Sequence, residues 1–398
     1  MKPGVTAPIL AINSGSSTLK FGLFTNESGE EQALLKGSAE GIGKEHGSLE
    51  IKSGQGQTLL SEDRKYASQL EALRHVTDAM TKQQAPPPAA IAHRIVHGGP
   101  KLREHIRITP QVQKTLEEAV HFAPLHIPTA LELLRGAEKV YPSIAQFACF
   151  DTAFHRTMPE EACRYAVPKE FFEQGLQRYG FHGLSYASIV HQLGSALKPR
   201  TVVAHLGSGA SLAAIRDGQS IDTSMGLTPT GGIPMGTRTG DLDPGVLLYL
   251  MRAGKLNADA LESLLNHQSG LIALGGTNDM RELQTGASQG DHDATLAITI
   301  FCRAIARTVA AFAVSLGGLD QLIFAGGIGE HSSEVRTRVC EQLALLGVTL
   351  DAESNKKAQQ VISAKTSTTE IRIVPSQEEA QMAREVRRLL ASGTAATA

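Results

Sequence analysis

Cysteine is scarce and scattered: Cys149, Cys163, Cys302 and Cys340 are the four, with no C-x-x-C. Such spacing reads as reduced thiols in a cytoplasmic protein. Charge of either sign is not in excess, since 38 basic and 40 acidic residues leave a net −2. No broad basic face for nucleic acid or membrane is therefore expected, and any anion site must be local. A basic n-region followed by an apolar stretch of signal length is missing from the N-terminus. Long apolar runs are few. The longest, 294–316, carries Arg303 and Arg307 and reads as a buried or interface helix, not a membrane span. No G-x-x-x-x-G-K-[ST] string occurs, which disfavours a P-loop fold, and no H-E-x-x-H, which weakens a metal hydrolase. What remains is a chain of 398 residues, 41% hydrophobic and 20% charged, long enough for two or three globular domains.

The stretch Gly226–Val246, GLTPTGGIPMGTRTGDLDPGV, crowds glycine and proline around Arg238, Asp241 and Asp243. It fits neither a regular helix nor a central strand. A long irregular loop in a compact chain is functional or disordered, and the turn chemistry and apolar flanks favour order. Arg238 is expected to sit in a crevice and grip an anion.

Strands are predicted over 8–12 and 19–24, joined by the small-residue turn Asn13-Ser-Gly-Ser-Ser-Thr18, with Lys20 following. Such a turn is a nest for phosphate oxygens or an ordinary polar hairpin. Helical spacing marks 67–82, and a strand over 89–96 leads into His93-Arg-Ile-Val-His97. Its H-x-x-x-H spacing aligns two ligands only on a helix, so zinc is disfavoured. Arg94 needs an anionic partner, either a ligand or a structural carboxylate. Helices are expected at 110–121 and 127–141, with His126 in the connection before the second. A strand over 144–150 ends at Asp151, a position for metal or nucleophile work or for a helix cap. His182 lies between glycines that permit close approach, or is a solvated loop residue. Strand, Gly/Ser turn and strand recur over 201–215, suggesting a duplicated α/β unit, with Asp217-Gly218 as a further hairpin turn. Helices follow near 245–254, 258–265 and 294–316; then 321–330 reads as a buried strand running into a glycine-rich turn at a helix start, suited to a nucleotide's base or phosphates. Strand 371–374 and an amphipathic helix to about 390 close the chain.

Taken together, INSGSSTLKF, AHRIVHGG, APLHIP, FDTAFH, RYGFHG, HLGSGAS, TPTGGIPMGTRTGDLDP, TNDMR, FAGGIGEH and PSQEE resemble, in order and nearly end to end, the acetate/propionate kinase family of the sugar kinase, Hsp70 and actin-like superfamily. The resemblance implies an α/β fold of two actin-like (ribonuclease H-like) domains with a nucleotide cleft between them. It places the first domain at 1–152, completed by 379–398, and the second, carrying the adenosine pocket, at 153–378. It implies reversible phosphoryl transfer from ATP to acetate, giving acetyl phosphate and ADP, with Mg²⁺ (or Mn²⁺), in a cytoplasmic homodimer. By position, Arg94 and Arg238 would hold the carboxylate and the moving phosphoryl group. His182 would stabilise the transition state, with His126 in a lesser role. Asp151, Glu378 and Asn13 would position the metal. Asn13, Ser16, Thr18 and Lys20 would line one phosphate loop; His205, Leu206, Gly207, Ser208 and Gly209 would form the other. Asp279, Met280, Arg281, Gly327, Ile328 and Gly329 would line the adenosine pocket, and Val96, Leu125, Phe181 and Pro229 the pocket for the acetate methyl.

Four positions depart from the family wording: Thr18 for Ser, Ser208 for Asn, TPTGGIP for a TPLEGL-type string, and PSQEE for PTNEE. The last leaves the choice between Glu378 and Glu379 open, and Ser208 is expected to weaken a nucleotide contact. Propionate or another short-chain acid is the alternative acceptor, and an actin-like nucleotide switch the more remote reading.

Overall fold

The structure is a computed structural model that describes residues 6–392 except 16, 28 and 125. It divides into two units, one comprising 1–153 with 377–398 and the other 154–376. Glu378, placed in the second domain by sequence, stands in the first. It opens the helix Glu378–Ala391, which packs on that unit's sheet.

Among the described residues the first unit has strands β1 (Ile9–Ser14), β2 (Thr18–Glu27), β3 (Glu30–Glu40), β4 (Ser48–Ser53), β5 (Thr58–Asp63), β6 (Ala90–Ile95), β7 (Ile106–Arg107) and β8 (Ala145–Phe150). They form one sheet in the order β5-β4-β3-β2-β1-β6-β8-β7. β1 pairs antiparallel with β2 and parallel with β6, and β6 is parallel to β8. Three adjacent parallel strands therefore end at one edge and bring Asn13, Arg94 and Asp151 together. Helix Gln69–Lys82 is capped by Ser68, whose hydroxyl accepts from the Glu71 amide at 3.2 Å. It turns Leu73, Val76 and Met80 into the core with Leu10, Phe21 and Ile91, each such burial contributing about 1.5–3 kcal/mol. The predicted helix at 110–121 is Pro110–Glu118 followed by a 3₁₀ turn, Val120–Phe122.

The second unit has β9 (Arg200–Leu206), β10 (Ala210–Arg216), β11 (Gln219–Thr223), β12 (Gln321–Ala325) and β13 (Glu370–Ile373), in the order β11-β10-β9-β12-β13. Two antiparallel pairings are followed by two parallel ones, as in β3-β2-β1-β6-β8 of the first unit. The repeat read from the Gly/Ser hairpins is thus a repeat of topology. Asp217 (φ 51°) and Gly218 (φ 80°) make the two-residue turn between β10 and β11. Helix His292–Leu316 is a core helix of this unit, capped by Asp291 and ended by Gly317 at φ 73°, burying Ile298, Phe301, Ile305 and Val309 on one face. Arg303 and Arg307 lie on its exposed face.

Candidate active site

In the first unit, Arg94 and Asp151 form a fork. Arg94 Nε donates to Asp151 Oδ1 at 3.0 Å and Nη2 to Oδ2 at 2.6 Å, while Nη1 donates to Asn13 Oδ1 at 3.0 Å. Asn13 Nδ2 then donates to Glu378 Oε2 at 3.1 Å and Glu379 Oε1 at 3.0 Å. Burial alone would lower the Arg94 pKa, but Asp151, Glu378 and Glu379 outweigh it and hold the guanidinium charged, above its ordinary value. One cation thus sits among three carboxylates, and the set is net negative.

The donors are hard oxygens, which suit Mg²⁺, an ion usually bound through one or two carboxylates plus phosphate. Asp151 has both oxygens engaged by Arg94, whereas Asn13 takes one oxygen each of Glu378 and Glu379 and leaves the other for a cation. These two glutamates fit a divalent ion best. Among the described residues no group of three or more His, Cys, Asp and Glu forms a metal cage. Lys20 and Glu379 line one cavity of about 230 Å³ with Lys36, Glu50 and Lys52. The turn after β1 is closed by Gly15 N donating to Thr18 O at 2.8 Å, and is braced by Gln69 Nε2 on Gly15 O at 2.9 Å. Ser16 and Leu125 lie outside the described residues. His126 is the N-cap residue of helix Ile127–Val140, and Val96 is half-buried just past β6. The two histidines of the H-x-x-x-H string bond elsewhere: His93 Nε2 meets Gln146 Oε1 at 2.7 Å, and His97 Nδ1 accepts from Gly99 N at 2.8 Å.

In the second unit, His182 holds a left-handed backbone, φ 58° and ψ 22°, at the N-cap of helix Gly183–Leu193. A non-glycine residue there is strained, and such strain concentrates at functional sites. Its glycine neighbour serves the protein interior instead of a ligand. Gly180 (φ 73°) is pressed so close that a Cβ would lie 2.5 Å from Thr223 Cγ2 and 2.6 Å from His155 Cδ2. Phe181 is buried, and its carbonyl meets His155 Nε2 at 3.0 Å. His182 stacks on His205 with ring centroids 4.5 Å apart.

Arg238 is held at a turn: Met235 N donates to Arg238 O at 3.0 Å, and Arg238 Nη1 donates to Pro229 O at 3.1 Å. Gly270 (φ 67°) supports it from behind, since a Cβ there would come within 2.1 Å of Met235 O. Gly236 N donates to Ser208 O at 3.1 Å, which seats the central loop on the turn Gly207–Gly209. A Cβ on Gly209 would stand 3.4 Å from His182 Nε2 and 3.6 Å from Arg238 Nη1. A ring nitrogen and a guanidinium nitrogen therefore face one glycine of the predicted phosphate loop.

Asp241 and Asp243 are structural: Asp241 Oδ1 accepts from Gly232 N at 2.7 Å, and Asp243 caps helix Pro244–Arg252. Asp279 caps helix Met280–Ser288, and hydrogen bonds from Arg281 hold its carboxyl down at about 2. Met280 is buried, Arg281 exposed; Gly327, Ile328 and Gly329 lie in the short helix Gly326–His331 that follows β12. The string Gly286-Ala-Ser-Gln-Gly290 has G-x-S-x-G spacing, but it ends a helix and is not a strand-to-helix elbow. Ser211 closes the HLGSGAS string, but no role was assigned to it from sequence. Its signal is a lone hydroxyl in the otherwise apolar strand Ala210–Ile215.

Residues 8–384 match the model of the acetokinase family. The chain belongs to that family. It is 40% identical to "Acetate kinase" of Dichelobacter nodosus, covering 96% of this chain and 98% of that one. It is 40% identical to the protein of the same name from Deinococcus radiodurans, with 94% and 96% covered. The crystal structure of a propionate kinase from Francisella tularensis superposes with TM-score 0.89 at 35% identity, covering 95% and 98%. Porphyromonas gingivalis acetate kinase superposes with TM-score 0.86 at 35% identity, covering 96% and 100%. Family membership agrees with two actin-like α/β units.

Proposed function

We propose that this chain transfers the γ-phosphoryl group of ATP reversibly to acetate, giving acetyl phosphate and ADP by direct in-line transfer. The observation that carries this reading is the convergence of His182 and Arg238 on Gly209, in a chain of the acetokinase family. Acetate and the γ-phosphate are both anions, so transfer needs positioning and charge compensation more than covalent help. Arg238 and His182 donate to the equatorial phosphoryl oxygens. Arg94, fixed by its fork with Asp151, orients the carboxylate. Glu378 and Glu379 hold Mg²⁺, directly or through water, with Asn13 and Asp151 fixing their surroundings. When bound, Mg²⁺ neutralises charge on the β- and γ-phosphates. The turns after β1 and β9 take the phosphates, and the segments at 279–281 and 327–329 the adenosine.

The protein acts as a cytoplasmic homodimer in this reading. Support comes from helix Pro244–Arg252, none of whose residues is buried, and which exposes Val246, Leu248, Tyr249 and Met251. Helix His292–Leu316 buries one face in its own core and leaves Leu296 and Val314 exposed. Free, buried Cys149, Cys163, Cys302 and Cys340 suit a reducing compartment.

Propionate is the second acceptor to consider, because a neighbour with TM-score 0.89 is a propionate kinase. One methylene is worth only about 1–3 kcal/mol. A hydroxamate assay with ATP, Mg²⁺ and acetate, propionate or butyrate is expected to show the highest kcat/KM with acetate. ADP formation independent of any carboxylate would end the kinase reading in favour of a nucleotide switch.

A further inference from the structure

Behind His182 lies a chain of two hydroxyl groups that the proposed chemistry does not itself require. Tyr186, fully buried in helix Gly183–Leu193, places its hydroxyl 2.5 Å from Ser211 Oγ. Ser211, also fully buried on β10, places that oxygen 2.8 Å from His182 Nδ1. Two hydroxyl hydrogens are shared along this line, and buried hydrogens are rarely left without an acceptor. Among the described residues the phenol's hydrogen-bond partner is Ser211 Oγ, so the phenol donates to it. The Ser211 hydrogen then points the other way, to Nδ1. An Nδ1 that accepts carries no hydrogen, so the neutral ring keeps its proton on Nε2. The reverse arrangement, with Nδ1–H donating to Ser211, strands either the serine or the tyrosine hydrogen in the interior.

We infer that Tyr186 and Ser211 are positioning residues that set His182 in its Nε2–H tautomer, so that the ring is a hydrogen-bond donor where it faces Gly209 and Arg238. His205, stacked on the ring and itself bonded to Ser185 Oγ at 2.8 Å, holds the ring plane. The consequence rests on the phosphoryl-transfer reading. An Nε2 lone pair would repel a phosphoryl oxygen, whereas Nε2–H donates beside the guanidinium without adding a second positive charge. The tautomer itself does not depend on that reading.

The test is a long-range ¹H–¹⁵N spectrum of histidine-labelled full-length protein at neutral pH, paired with kinetics. Wild type is expected to show His182 protonated on Nε2. Ser211→Ala is expected to mix the tautomers and to lower kcat roughly 10- to 100-fold, the usual scale for loss of an orienting partner, with KM values within about twofold. Ser211→Thr restores both. Tyr186→Phe leaves the serine hydrogen in place but free to rotate, and gives a smaller loss of both tautomer and kcat. An Nδ1–H tautomer in wild type overturns the inference. So does an unchanged tautomer and kcat in Ser211→Ala. Should that variant not fold, the wild-type and Tyr186→Phe spectra decide alone. A Ser211-dependent Nε2–H tautomer in a protein that makes no acyl phosphate supports the relay while removing the phosphoryl-transfer reading.

Discussion

In the first unit the strands β1, β6 and β8 deliver Asn13, Arg94 and Asp151 to one edge, where Glu378 and Glu379 join them from the start of a helix. In the second, the same strand order delivers a Gly/Ser turn flanked by His182 and Arg238. The scaffold is repeated, but the chemistry is not. Arg94 is locked by a carboxylate inside a net negative cluster that suits a cation. Arg238 donates to the Pro229 carbonyl and to Met235 Sδ, and its Nη1 stands beside Gly209. Stability and chemistry are therefore coupled at the first site and separable at the second.

The largest expected effect is at Asp151. Its side chain is 1% exposed, and Asp151→Ala leaves the Arg94 charge without its main partner. A loss of about 3–5 kcal/mol of stability is predicted, read as a drop in urea midpoint. Arg238→Ala, in contrast, is expected to cost about 10²- to 10³-fold in kcat, near 2.7–4 kcal/mol in transition-state terms, with little change in that midpoint. Equal destabilisation of the two variants would break the contrast.

Acid sharpens it further. His93 is driven down to about 4 by burial, partly offset by its hydrogen bond with Gln146. The unfolded chain takes up this proton near 6.5 and the folded one does not until about 4. The stability contributed by neutral His93 is thus whole above pH 6.5 and is lost as pH falls toward 4, by about 3 kcal/mol in all. His93→Gln should flatten that part of the first unit's acid profile; an unchanged slope would place the loss elsewhere. The smallest effect expected is at Gly209. Gly209→Ala meets no clash but fills the space the two nitrogens face, so kcat should drop about tenfold with the unfolding midpoint unmoved.

Much of the scaffold was legible because periodicity and turn chemistry are local. The hairpins at 8–24 and 201–215, the Asp217-Gly218 turn and the long helix before Gly317 were all readable from residue type. The meander β3–β5 was not predicted. β3 buries its residues irregularly beside a bulge at Leu23/Phe24, and β5 is largely exposed, so neither shows clean alternation. Arg94 and Asp151 stood out separately, each at a strand end, yet their fork depends on β6 and β8 being neighbours, which no local pattern states. Asp243 and Asp279 cap helices, a role that the sequence reading did not assign them. Ser211 and Tyr186 lie 25 positions apart, and although Ser211 ends the HLGSGAS string, Tyr186 belongs to none of the quoted motifs; only the packing of a helix against a strand brings them to His182.

The most direct measurement is ³¹P NMR of the protein with ATP, Mg²⁺ and acetate. Growth of an acyl phosphate resonance, matched by conversion of ATP to ADP and absent when acetate is withheld, is the result predicted. Inorganic phosphate released at the same rate with or without acetate would contradict it.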